Sequence, residues 1–279
     1  MSSIIIFGGS RGIGKIIAEY LISGGHEVSV ASRNYQTLHK FKKDISTRNL
    51  LVHVVAADIT CQKDVTKVFQ SHIRKWHKIP DAVINCAAIQ GPIGLSWNIH
   101  VKKWEATVRT NLLGSFIVAK VAINQMIKQG HGSIIMFSGG GSVYGRPYFS
   151  AYGVSKTGIL RMVETLAEEL RIQGYPDIII NAVAPGAVKT NMTSEVLRAG
   201  PVAGTKALAE ANEVFQKGGT SVDEITMLID FLINLKANCS LTGRLIHVRE
   251  DYRGLIRKYA AEVPEDIGKI RRVPISTTK

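Results

Sequence analysis

Tyr152 and Lys156 stand four residues apart at the head of a helical pattern, just after a Ser/Gly-rich stretch that begins Ser138-Gly-Gly-Gly-Ser142. Four residues is about one helical turn, so the two side chains share a face. A free tyrosine has a pKa of about 10. An ammonium held beside the phenol favours the phenolate and brings that pKa towards working pH. A change of ~3 units corresponds to roughly 4 kcal/mol, within reach of one partly desolvated cation and its hydrogen bonds. The chemistry on offer is general acid/base catalysis by Tyr152. Alone, a Tyr-x-x-x-Lys pair is ordinary helix surface, and its meaning depends on its surroundings.

A second group sits at the start of the chain. The apolar run Ile4-Ile-Ile-Phe7 leads into Gly8-Gly-Ser-Arg-Gly-Ile-Gly14, whose glycines at 8, 12 and 14 open a helix. Glycine permits a tight turn and close approach of a phosphate, and the helix N-terminus supplies amide donors. In an α/β context this is a dinucleotide-binding loop. The next strand ends in Ser32-Arg33-Asn34, with no acidic residue to hold a ribose 2′-hydroxyl. Arg33 offers a planar cationic fork suited to a 2′-phosphate, and Arg11 can reach the same region, so the sequence favours NADP(H) over NAD. Two further strands end at Ala57-Asp58-Ile59 and Ile84-Asn85-Cys86-Ala87-Ala88. Asp58 is placed to accept from an adenine amine and Asn85 to fix the loop beneath it; capping the following helix is the alternative for either. Asn111 interrupts an apolar helix, where its amide competes with backbone bonding; a kink presenting a carbonyl and an amide to buried water is one reading. Pro185-Gly186 ends another strand, and the weakly patterned stretch 187–219 beyond it has the character of a substrate lid.

The elements that must position these groups alternate regularly. Apolar runs at 3–7, 27–31, 51–56, 81–85, 133–137, 178–183 and 244–248 are separated by helical patterns near 13–24, 35–46, 62–76, 101–129, 151–173 and 222–235. Short continuous apolar runs between helices mean parallel strands buried on both faces. The expectation is a Rossmann-like, doubly wound α/β sheet of about seven strands with helices on both faces, in a single domain spanning residues 1–279, with a charged C-terminal tail from about 249.

Composition narrows the function classes. Hydrophobic residues make up 45% of the chain and charged residues 20%, as in a soluble globular protein. The three cysteines, Cys61, Cys86 and Cys239, are scattered and lack metal-ligand spacing, which points to no metal site and a reducing, cytoplasmic setting. Three residues precede the first apolar run, too few for a signal peptide, and no apolar run of ~18 residues appears. The net charge of +13 is dispersed, without a dense basic run, so anionic small molecules explain it better than nucleic acid or membrane. His247, Arg249 and Lys189 are candidates to meet an anionic substrate group.

Together these pieces resemble the short-chain dehydrogenase/reductase family, in its non-extended branch, from Ser3 to about Val248. Gly8, Gly12 and Gly14 look like the family's cofactor loop, and Asn85-Cys-Ala-Ala resembles its Asn-Asn-Ala-Gly motif with two positions changed. Asn111, Tyr152 and Lys156 match three of its four catalytic residues, and Pro185-Gly186 through Val188 and Thr190 matches the segment that clasps the nicotinamide. The resemblance implies hydride transfer between nicotinamide C4 and a carbonyl or alcohol carbon, and the NADP preference points indirectly to a reductase, because cells keep NADPH in excess. The cofactor would lie along Gly8, Ser10, Arg11, Gly12, Ile13 and Gly14, with Ser32, Arg33, Asp58, Ile59, Asn85 and Ala87 beside it. Tyr152 would exchange the hydroxyl proton, Lys156 would hold the ribose and lower the tyrosine pKa, and Asn111 would anchor a proton-relaying water. A homodimer or homotetramer through 101–129 and 151–173 is implied as well.

Two departures stand out. The family's substrate-orienting serine lies thirteen residues before the tyrosine, where this chain has Gly139. Ser138, one position earlier, is the expected substitute if the loop absorbs an insertion, with Ser142 in reserve. The family's Val-Asp-Gly-Gly ending is also replaced, by Leu241-Thr-Gly-Arg-Leu-Ile-His-Val248. A non-catalytic NADP-binding regulator or scaffold is the alternative that Gly139 raises. An extended-branch sugar-nucleotide enzyme would space its glycines Gly-x-x-Gly-x-x-Gly, which Gly8, Gly12 and Gly14 do not follow.

Overall fold

Seven short strands, each flanked by helices, form one all-parallel sheet in the order β3-β2-β1-β4-β5-β6-β7. They are β1 Ser3–Phe7, β2 Glu27–Ser32, β3 His53–Ala56, β4 Ala82–Asn85, β5 Gly132–Phe137, β6 Ile178–Ala184 and β7 Leu245–His247. The computed structural model describes residues 1–139, 141–235, 241–258, 263–264 and 266–270; Gly140 and Cys239 lie outside the described residues. Every residue of β1 is buried because successive side chains enter opposite layers. Ile4 and Ile6 pack with Ile17, Leu21, Phe41 and Leu228, while Ile5 and Phe7 pack with Val65, Phe69, Val118 and Met126. A strand with two apolar neighbours cannot alternate polar and apolar residues, which is why the runs read as continuous.

The helices of the first layer are α1 Gly12–Ser23, α2 Tyr35–Ser46 and α9 Val222–Ile233; those of the second are α3 Gln62–Trp76, α5 Gly114–Gln129 and α6 Ser150–Ile172. The strand order reverses between β1 and β4, opening a crevice at the carboxyl ends of both strands. A short α4, Val101–Val108, runs into α5 through a π-helical turn at Arg109–Leu113, where the sequence pattern reads as one unbroken helix. The combined helix is long and apolar enough in composition to cross a membrane, yet 56% of its apolar window is buried within this fold.

The stretch expected to be weakly patterned is in fact helical. It forms α7 Asn191–Ala199, a 3₁₀ turn at Gly200–Ala203, and α8 Thr205–Lys217. The buried face of α8 is Ala207, Ala211 and Val214, small side chains that give a faint apolar stripe. A last helix, α10, spans Tyr252–Lys258, and residues 263–264 and 266–270 lie near β7. The Arg244 guanidinium, on the strand-entry side of β7, donates to the carbonyls of Val263 at 3.0 Å and Pro264 at 2.7 Å.

Candidate active site

The glycine loop leaves β1 under geometric constraints that glycine satisfies. A Cβ on Gly14 would lie 2.4 Å from the Gly8 carbonyl oxygen, and one on Gly8 would lie 2.7 Å from the Ala87 nitrogen. The loop, the first turn of α1 and the end of β4 are thus pressed together. Asn85 secures that junction: its Oδ1 accepts from the Ala87 N–H at 3.2 Å and its Nδ2 donates to the Ser115 hydroxyl at 2.9 Å. Helix α1 begins at Arg11 with no side-chain cap and no acidic residue in its first turn, leaving amide donors for an anion. Across the crevice, Thr190 approaches Gly12 to 3.8 Å from a built Cβ.

The Ser10 hydroxyl lies 2.9 Å from that of Ser32 and 3.3 Å from that of Thr37, so the glycine loop, the end of β2 and the start of α2 share a hydroxyl cluster. Arg11 and Arg33 follow Ser10 and Ser32 and are both exposed. These groups fit a phosphorylated dinucleotide: anion donors at the helix start, and hydroxyls with two free-reaching guanidinium groups at the β2 rim. Asp58 is less committed to a ligand, since its Oδ1 accepts from the Thr60 N–H at 2.8 Å. Ile13, in the first turn of α1, is half-buried against the first layer's core, and Ile59 packs into the opposite layer, where it blocks any side chain at Gly114. Gly186 has φ +70° and turns the chain after Pro185, and Val188 is buried.

Tyr152 and Lys156 project from the first turns of α6 towards the end of β5. Both are buried, and the Lys156 ammonium is 5.6 Å from the centre of the Tyr152 ring. Its hydrogen bond, at 2.7 Å, goes to the carbonyl of Phe137. Burial pushes the Lys156 pKa down to about 8, and the nearby Cys86 thiol opposes that. Burial also pushes the Tyr152 phenol up to about 12, and the charge that opposes this is Arg146. The expected lowering of the phenol pKa by Lys156 is therefore not what this geometry produces; desolvation dominates, and the counteracting cation lies in the β5–α6 loop.

Asn111 occupies the π-helical turn. Its Oδ1 accepts from the Ile89 N–H at 2.9 Å, and its Nδ2 donates to the Ile89 carbonyl at 3.0 Å and the Ser155 hydroxyl at 3.1 Å. Ser155 in turn donates to the Tyr152 carbonyl at 2.8 Å. The amide that reads as out of place in an apolar helix clamps the β4 loop to the catalytic helix.

The serine expectation is corrected. The Ser138 hydroxyl points to the Lys156 carbonyl, 3.4 Å away, rather than towards the phenol. The position that faces Tyr152 is Gly139, where a built Cβ would lie 2.8 Å from the phenol oxygen. The residue that faces the phenol oxygen therefore has no side chain. Ser142 is buried, its N–H bonded to the Gly139 carbonyl and its own carbonyl to the Thr157 hydroxyl.

Four groups at the site carry no recognisable sequence signal. Gln90 Nε2, in the loop after β4, and Thr220 Oγ1, against Gly186, are buried without protein partners. Arg146 stacks on Phe149 with its guanidinium carbon 4.4 Å from the ring centre. Tyr148 has φ +71°, an uncommon conformation for a bulky residue, and its carbonyl accepts from the Gly94 N–H at 2.9 Å. The cations proposed for an anionic substrate each have a loose protein contact of their own. Lys189 lies 5.0 Å over the Phe215 ring, Arg249 is 3.8 Å from Glu224, and His247 Nδ1 accepts from the Arg249 N–H.

Comparison with known proteins agrees with this architecture. The sequence profile described as short chain dehydrogenase matches residues 2–200. The 3-oxoacyl-(acyl-carrier-protein) reductase FabG of Aquifex aeolicus is 27% identical over 246 residues, covering 88% of this chain and 94% of that one. The human 3-oxoacyl-(acyl-carrier-protein) reductase is 30% identical over 191 residues, covering 68% and 77%. Among solved structures, an actinorhodin polyketide ketoreductase with NADPH superposes with a TM-score of 0.77 at 24% identity, covering 88% and 95%. An NAD+-bound xylitol dehydrogenase gives 0.77 at 24%, covering 88% and 96%. The fold thus accompanies either cofactor in these two neighbours. With its parallel sheet, glycine loop and Tyr152–Lys156 pair, the chain belongs to the short chain dehydrogenase/reductase family of oxidoreductases.

Proposed function

We propose that this protein is an NADP(H)-dependent oxidoreductase that interconverts a carbonyl and an alcohol, working mainly as a reductase. The observation that carries the reading is the buried Tyr152–Lys156 pair on α6, beside the crevice where the glycine loop leaves β1. A bound nicotinamide supplies or accepts hydride. Tyr152 gives its hydroxyl proton to the substrate oxygen during reduction, and its raised pKa keeps that proton in place at working pH. Lys156, balanced near pH 8, stands ready to exchange its Phe137 carbonyl contact for a ribose hydroxyl. Asn111 keeps the β4 loop and α6 in register. Pro185, Gly186, Val188 and Thr190 line the route to the lid helices α7 and α8, which cover Tyr152 and Phe149.

The choice of NADP(H) is supported by the Ser10–Ser32–Thr37 hydroxyl cluster between Arg11 and Arg33, and by the lack of a carboxylate after β2. The relatives named as 3-oxoacyl reductases favour reduction as the working direction. Leu113, Phe116 and Val154 expose apolar side chains on α5, α6 and the π-helical turn, which supports a homodimer or homotetramer through those helices. A cytoplasmic location remains the reading of the scattered cysteines.

The test is NADPH oxidation by the purified protein against a panel of carbonyl compounds. Turnover by the wild type that Tyr152→Phe lowers by about 10²- to 10⁴-fold, with NADPH affinity held within a few-fold, is the expected result. Turnover retained by Tyr152→Phe would remove the proton-transfer role. Tight NADPH binding without turnover of any compound would favour the non-catalytic regulator or scaffold.

A further inference from the structure

Between the loop after β5 and the start of α8 lies a cavity of about 90 Å³, with Arg146, Tyr144 and Tyr148 on one wall and Ala203, Lys206 and Ala207 on the other. A water molecule occupies roughly 30 Å³ of liquid volume, so the space suits a group of a few heavy atoms. Ala203 and Ala207 belong to the same apolar cluster as Phe149 and Tyr152, so one wall of the cavity is continuous with the packing around the phenol ring.

The charges here are poorly matched. Among the described residues, the carboxylate that Arg146 meets is Glu210 on α8, at 3.7 Å, with the two side chains 22% and 47% exposed. A charge-assisted hydrogen bond is about 2.8 Å long, so this is a loose surface pair of the kind that contributes little. Lys206 adds a second cation on the opposite wall. The reaction centre also lacks an anchor, because the position facing the Tyr152 hydroxyl is Gly139. Without a side chain there, alignment of the substrate oxygen must draw on binding energy from a more distant part of the substrate.

We propose, resting on the oxidoreductase reading above, that Arg146 with Lys206 is the specificity-determining anchor for an anionic group, a carboxylate or phosphate, on the carbonyl substrate, and that Glu210 holds its place until substrate binds. The cation placed to recognise the anion also opposes the burial of the Tyr152 phenol, so the two functions share one loop. Folding that loop requires Gly141, at φ +90°, where a built Cβ would lie 3.0 Å from that of Arg146.

Matched substrates test the assignment: a keto acid against its methyl ester, and a phosphorylated carbonyl compound against its dephosphorylated partner. The pair with the larger anionic preference identifies which anion the site takes. Arg146→Gln should reduce that preference in kcat/KM by about ten- to a hundredfold, mainly through KM. Glu210→Gln should raise it a few-fold, because the competing carboxylate is gone. A lid-tethering pair would respond identically to the two substitutions; movement in the same direction, or an equal loss on both members of each pair, overturns the proposal. If no compound is reduced, the oxidoreductase reading fails, and thermal stabilisation by inorganic phosphate decides the subsite separately. Stabilisation that Arg146→Gln diminishes supports it, and equal stabilisation of both proteins overturns it.

Discussion

Gly139→Ala gives the sharpest examination of the reaction centre. Gly139 does not have a positive φ, so the backbone accepts alanine and the effect is confined to the added methyl. That methyl would lie 2.8 Å from the Tyr152 hydroxyl oxygen, whereas ordinary contact begins at 3.4 Å. The phenol must therefore retreat by about 0.6 Å, the difference between the two, and Phe149, Val196 and Ala203 resist it. Misplacement of a reacting group by about 1 Å costs up to ~10²-fold, so a shift of this size should lower kcat on the order of tenfold, or about 1.4 kcal/mol in the barrier. Overpacking at one edge of a buried ring should cost ~1 kcal/mol in stability, or about 2–4 °C in Tm. The assay is NADPH-dependent turnover of the best carbonyl substrate, with Ser138→Ala as the companion. Because the Ser138 hydroxyl makes only a 3.4 Å contact with the Lys156 carbonyl, its removal should cost no more than about fivefold. A Gly139→Ala enzyme within twofold of wild type, or a Ser138→Ala enzyme that loses more, would refute the assignment of Gly139 as the residue facing the phenol.

The other expectations concern the cofactor and the core. Arg33→Asp should shift the NADP/NAD ratio of kcat/KM towards NAD by tenfold or more, since it replaces a phosphate partner with a carboxylate suited to the ribose diol; an unchanged ratio would remove Arg33 from the phosphate site. His72 is fully buried, its Nε2 2.8 Å from the Ser3 hydroxyl and its Nδ1 2.7 Å from that of Ser29, and burial pushes its pKa down to about 3. The unfolded histidine titrates near 6.5, so below that pH the unfolded chain binds a proton that the native state does not, and stability falls by about 1.4 kcal/mol per unit towards pH 3. Urea unfolding should show wild type losing about 2 kcal/mol between pH 6.5 and 5, with His72→Gln losing much less. Equal losses in both proteins would place the acid sensitivity elsewhere.

Much of this architecture was legible because its causes are local. A five-residue apolar run must be a doubly covered strand, and glycines packed against a helix start must form a tight anion-binding turn. The Tyr152–Lys156 spacing places both side chains on one helical face whatever the rest of the chain does. Helices α7 and α8 escaped because α8 buries mainly alanines, whose stripe hardly differs from its surroundings. The His72 pocket escaped because a serine inside each of two strands, Ser3 and Ser29, has no meaning until β1 and β2 lie side by side.

The sequence by itself determined the alternating α/β order, the glycine loop and the Tyr152–Lys156 pair, all set by spacings within one or two elements. Tertiary structure decided what faces what. It turned Ser138 to the Lys156 carbonyl and left Gly139 beneath the phenol, a difference of one residue at a strand exit that no periodicity encodes. It also brought Glu210 and Lys206 towards Arg146 from a helix far along the chain. Local patterns record which face a residue takes; which charges meet depends on how loops close over the packed core, and only the completed fold specifies that.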